Sequence, residues 1–145
     1  MQFDQLPPSQ NQLLRMHWRR RAVALDAWIF WVKAQAQEQN LSEAPAWRIT
    51  VGCLFKVARL MDEDNAQARF KLIGDALVRA GMVVDDNPNA LQLAVFQRKV
   101  ARTEQGVELT LTIVEPGDEH SLAEWSEQQL RQQVGVHKHA AKRGW

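Results

Sequence analysis

The residues in this chain best suited to do chemistry together are carboxylates. Asp62-Glu63-Asp64-Asn65 sets three acids in a row, and a second pair, Asp85-Asp86, lies in a later turn-rich stretch, Asp85-Asp86-Asn87-Pro88. Two adjacent carboxylates repel, so ionising both is costly. A divalent cation removes that cost and takes their oxygens as ligands. Magnesium suits such a site: it prefers oxygen, commonly uses one or two carboxylates, and completes its shell with water and substrate phosphate. The chemistry implied is that of a metal-dependent enzyme, in which the ion activates a water and relieves developing charge. Asp62, Asp64 and Asp86 are the candidate ligands.

The densest basic cluster is Arg15, His17, Trp18, Arg19, Arg20 and Arg21. Arginine binds phosphate bidentately and an indole offers a stacking face, so this is the natural DNA-gripping surface. Basic side chains crowded at a helix N-terminus oppose its dipole, and a bound polyanion would resolve that conflict. Net charge is only +1, which does not announce a nucleic-acid binder. Its distribution is more informative: residues 1–60 hold eight Lys/Arg against four Asp/Glu, and residues 61–145 hold ten against thirteen, so a basic first part precedes an acidic second part.

Each feature also has a purely structural explanation. Asp64 or Asn65 suits a helix N-cap, and Asp64 with Gln67 fits a capping box. Asp85-Asp86-Asn87-Pro88 suits a polar turn. Lys71 and Asp75 are spaced for an i,i+4 ion pair on a solvated face. His137 and His139 are spaced as tail histidines commonly are, and Cys53 alternates with apolar residues as a core side chain would.

The elements that would position these groups follow from periodicity. Leu25, Trp28, Ile29, Val32 and Ala36 form one stripe of a helix spanning about 19–39, while Phe30 and Trp31 lie off it. A helix apolar on more than one side points to a subunit interface. From Trp47 to Val57 the period becomes two, which predicts a long half-buried strand. If that geometry persists to its end, Asp62 and Asp64 project together on the side of Lys56. A helix over about 65–80 follows, ended by Gly81. Residues 91–101 and 107–114 predict a hairpin with Gly106 in its connection. Residues 121–133 suit a polar helix, and the last dozen a mobile basic tail.

In combination these residues resemble the RusA-type Holliday junction resolvases. The similar elements are Asp62-x-Asp64-Asn65, Lys71, Asp75-Ala76-Leu77, Gly81, the closing Asp85-Asp86, and the opening Pro7-Pro8-Ser9-x-Asn11. The resemblance spans roughly residues 6–114. It implies a small mixed α/β fold, a homodimer, and magnesium-dependent cleavage of branched DNA. By position, Asp62, Asp64 and Asp86 match the metal-binding carboxylates, and Lys71 matches the functional lysine, which would neutralise the scissile phosphate or the leaving oxygen. The interval between Asn65 and Lys71 is longer than in the closest form of the pattern, which bears on that lysine.

The whole chain bounds these readings. Its 145 residues fit one domain, with a nuclease-like part over 1–117 and a polar helix and basic tail over 118–145. The fold class expected is α/β, a mixed sheet of three to four strands packed on two helices. With one cysteine, neither an internal disulfide nor a cysteine-rich zinc site can form within the chain. That usage makes a reducing, cytoplasmic setting the default, and no signal-peptide layout or membrane-spanning apolar run is expected. Two readings from other classes stand beside the nuclease: a non-catalytic DNA-structure-binding protein of the same fold, and a protein-interaction module.

Overall fold

The computed structural model describes residues 1–41, 48–85, 90–114 and 136–138. Its centre is strand β2, Arg48–Val57. Val51, Cys53, Phe55 and Val57 face the helices, while Thr50 and Leu54, of the opposite parity, are buried too. The alternation read in the sequence is therefore present, but the strand is buried on both faces rather than half-buried. Such a strand belongs in the middle of a sheet.

Strand β3, Leu91–Lys99, runs parallel to β2, from Ile49 opposite Leu91 to Val57 opposite Lys99. Strand β4, Gly106–Val114, runs antiparallel along the other edge of β2. Two short strands complete the sheet, β1 (Gln2–Phe3) on β4 and β5 (Val136–Lys138) on β3, giving the order β1-β4-β2-β3-β5. The fold is thus a mixed α/β domain, with the two short strands added to the expected sheet.

The expected hairpin of β3 and β4 does not form. The two strands flank β2 and never pair. Their connection contains a 3₁₀ turn at Arg102–Glu104, and Val100 donates its N–H to the Val57 carbonyl as the chain leaves β3. Six residues between the strands suffice to step across β2, two strand spacings or about 9.6 Å; a tight hairpin loop would have forced direct pairing. Gly106 opens β4 where a side chain could not fit: a Cβ there would meet the Phe3 carbonyl oxygen, so the glycine lets β1 dock.

Helix α1, Gln10–Arg15, starts at a capping box in which Ser9 Oγ accepts from the Gln12 N–H and Gln12 Oε1 accepts from the Ser9 N–H. Helix α2, Trp18–Glu38, buries Trp28, Val32 and Ala36 on the expected stripe. The expected helix over 65–80 is two: α3, Glu63–Arg69, and α4, Lys71–Arg79, separated at Phe70. After α4, Gly81 takes a left-handed conformation at φ 78°. The Gly81 N–H bonds the Val78 carbonyl and the Met82 N–H bonds the Leu77 carbonyl, a Schellman ending. One core joins α2, α3 and α4 to the helix-facing side of the sheet. Among the described residues no helix is long and apolar enough to cross a membrane. Of the expected polar helix and mobile tail, only residues 136–138 are described, and they are paired in β5; His139 lies outside.

Candidate functional site

The acidic segment opens α3. Asp62 is the N-cap: one carboxylate oxygen accepts the Asn65 backbone N–H at 2.8 Å and the other accepts the Asn65 side-chain amide at 3.1 Å. Glu63 and Asp64 occupy the first turn, where the helix dipole favours negative charge. The cap is therefore Asp62, not Asp64 or Asn65, because only Asp62 lies where one carboxylate can serve both donors of Asn65. The strand geometry expected to align Asp62 with Asp64 is absent, since β2 stops at Val57. Both carboxylates are exposed at one loop–helix junction. Each carboxylate oxygen carries two lone pairs, so capping leaves Asp62 with acceptor capacity.

Side chains that the sequence reading did not single out hold this junction in place. Gln97 on β3 is fully buried; its Oε1 accepts the Met61 N–H at 2.8 Å and its Nε2 donates to the Met61 carbonyl at 2.9 Å. Both polar groups of the residue before the cap are thereby tied to the sheet. Gln105 accepts the Ala58 N–H at 3.0 Å where the chain leaves β2. A glutamine directly after the apolar run that ends at Phe96 was the available signal, although only the fold reveals its partner.

The basic arm gathers at the start of α2. His17 is the N-cap, its Nδ1 accepting the Arg19 N–H at 3.2 Å. Trp18 is 61% exposed, with the Arg19 guanidinium 5.2 Å from its ring centroid. Arg15, Arg20 and Arg21 are exposed, and no acidic residue offsets them in the first turn of α2. A groove of about 380 Å³ brings Trp18 and Arg21 together with Lys71, Leu72 and Asp75. Lys71 Nζ lies 3.9 Å from Asp75, the i,i+4 pair the spacing allowed. Lys71 thus joins the basic arm; it opens α4, whereas Asp64 lies in the first turn of the separate helix α3.

The third expected ligand, Asp86, lies outside the described residues. The strand that follows it starts at Leu91 beside Ile49, about 26 Å of strand from the Val57 end of β2. Among the described residues no group of three His, Cys, Asp or Glu side chains is arranged to hold a metal. The donor chemistry of Asp62 and Asp64 does fit magnesium, which accepts two carboxylates with water and phosphate. Cys53 is fully buried and burial pushes its thiol well above the usual value, which suits a core residue and not a nucleophile. No protein-family model, curated protein or solved structure matches the chain.

The Gln97 clamp yields a direct test. Gln97→Leu leaves the Met61 N–H and carbonyl without their partner, at about 1–3 kcal/mol for each group that stays dry. Urea unfolding should show lower stability, and hydrogen exchange at the Met61 amide should accelerate more than at Val95. Unchanged exchange at Met61 would mean that the clamp does not hold the junction.

Proposed function

We propose that the chain is a magnesium-dependent endonuclease that cleaves branched DNA such as Holliday junctions, and that it works as a homodimer. The observation that carries this reading is the pair of exposed aspartates, Asp62 and Asp64, at one clamped junction within the RusA-like pattern. On this reading Asp62 and Asp64 hold the metal with Asp86. A bound magnesium ion would supply an activated water and relieve charge on the scissile phosphate. Arg19, Arg20 and Arg21 grip the phosphate backbone, with Arg15 and His17 beside them, and Trp18 offers a stacking face. Lys71, in the groove with Trp18 and Arg21, neutralises a phosphate at the edge of that grip. The parallel strand register sets a condition: the chain between Met82 and Ala90 must regain height along the sheet to bring Asp86 to Asp62.

A second reading has its own support. Asp62 is already used as a helix cap and Lys71 already faces Asp75, so both have structural roles without catalysis. The alternative is a non-catalytic protein that binds DNA structure through the same basic arm. Asp64→Asn separates the two. In the enzyme it should abolish magnesium-dependent cleavage of a synthetic four-way junction, at least about a hundredfold, while binding measured in chelator stays intact or tightens. Substantial cleavage by this variant, or none by the wild type with magnesium, would remove the nuclease.

The grip is tested by salt. Replacing Arg19, Arg20 and Arg21 with Ala should flatten the dependence of log affinity on log salt, by about 0.9 for each duplex phosphate that the arm no longer neutralises. An unchanged slope would move the binding surface elsewhere.

The dimer rests on α2. Trp28 is core and Trp31 is half-buried, whereas Val23 and Phe30 are 68% and 69% exposed, seven residues apart on one face. Two symmetric incisions need two sites, and a two-fold pairing through this face would supply them. Sedimentation at micromolar concentration should give twice the 16.6 kDa chain mass, and Phe30→Glu should shift it toward monomer. A wild-type monomer still active on junctions would exclude paired incision.

A further inference from the structure

The Pro7-Pro8 segment, α1 and the 3₁₀ turn enclose an open groove of about 520 Å³. Hydrogen-bond donors dominate its polar lining: Arg69, Arg102, Thr103 and three glutamines, with Asp4 the one carboxylate. Arg69 is half-buried. Its Nε–H donates to the Pro7 carbonyl at 2.7 Å, and one amino group lies 3.4 Å from Met61 Sδ. No carboxylate lies within ion-pair distance of Arg69 or Arg102 among the described residues. A partly desolvated guanidinium without a counter-charge carries an uncompensated cost. Its pKa moves accordingly, downward from the ordinary value through burial.

Two of the carboxamides, those of Gln12 and Gln105, are oriented by the backbone. Gln12 Oε1 accepts the Ser9 N–H at 2.8 Å and Gln105 Oε1 accepts the Ala58 N–H at 3.0 Å. With each oxygen turned to a backbone N–H, the NH₂ group with its two donors is the end presented to a ligand. The groove therefore offers two guanidinium groups, two oriented amide donors and a hydroxyl, with Gln5 beside them. A planar carboxylate accepts chiefly in its own plane, whereas a tetrahedral oxyanion accepts from every side.

We propose that this groove binds a phosphate group. The inference stands apart from the nuclease reading. If DNA is the source, the strand held here would pass Met61, the residue next to Asp62, and the groove would act as a second grip distinct from the arm on α2.

The test uses the full chain in chelator, so that nothing is cleaved. Inorganic phosphate is titrated while the Arg69 Nε–H and the Gln12 and Gln105 side-chain amide signals are followed by NMR, with chloride at equal ionic strength as control. All three signals should shift saturably. Arg102→Ala, at an exposed position that leaves the Arg69–Pro7 bond untouched, should weaken binding roughly three- to tenfold. Asp4→Asn should strengthen it. A short oligothymidylate then identifies the source. If the same signals shift and Arg102→Ala lowers the salt slope by about 0.7, the phosphate belongs to a nucleic-acid strand. If inorganic phosphate alone moves them, the site takes a free phosphate and the proposal stands even if the DNA reading fails. No saturable shift with either probe, or binding indifferent to Arg102→Ala, overturns the proposal.

Discussion

The Gln97 carboxamide, closed on both polar groups of Met61, is the interaction on which the placement of the acidic junction depends. Gln97 is wholly buried beside Val95, and among the described residues of the sheet only Thr50 is another buried polar side chain. A carboxamide placed there costs free energy unless its oxygen and nitrogen both find partners. Met61 supplies both, so the chain between β2 and α3 has little freedom to shift. The cap at Asp62 is the next residue, and α3 starts from it. Gln105 and Arg69 reinforce the same stretch, one through Ala58 and the other through Met61 and Pro7. An irregular segment between strand and helix is thereby fixed by side-chain hydrogen bonds from three separate elements.

The second constraint is directional. β2 and β3 are parallel, so the connection through α3 and α4 must return the chain to the end of the sheet where β2 began. The Schellman ending at Gly81 turns the chain, and Met82 and Val83 are buried as it leaves α4. Residues at the two ends of such a crossover set out from opposite ends of the sheet. That is the geometry a site joining Asp62 and Asp86 has to overcome. Lys71, at the start of α4, instead lines the groove with Trp18 and Arg21 of α2.

Sequence periodicity carried the elements well where burial follows one simple rule. The stripe of α2 and the stop at Gly81 depend on local chemistry, and both lie within a residue or so of their expected places. The capping box at Ser9 and Gln12 was equally local and would have disclosed α1. What eluded periodicity was pairing. Strands β3 and β4 each read as half of a hairpin, since alternation gives the face of a strand and not its neighbour. The buried second face of β2 was hidden for the same reason. The candidate site divides likewise: residue types marked Asp62 and Asp64, whereas the role of Gln97 depends on a partner 36 residues away.

The dual use of Asp62 bears on how such a junction would work. A helix start stabilises nearby carboxylates as anions, because its free N–H groups carry partial positive charge. The same partial charge opposes a cation at that place. Under the proposed function, the two aspartates at the start of α3 would therefore hold magnesium weakly alone, and Asp86 together with oxygens of the DNA phosphate would have to complete the shell. Metal binding and DNA binding then become coupled equilibria, each strengthening the other by the same factor. The basic arm on α2 acquires a further role: by raising the occupancy of phosphate near the junction, it raises the affinity for the ion. Weak intrinsic metal binding is thus what an aspartate-capped helix would contribute to an enzyme that cuts only when its substrate is in place.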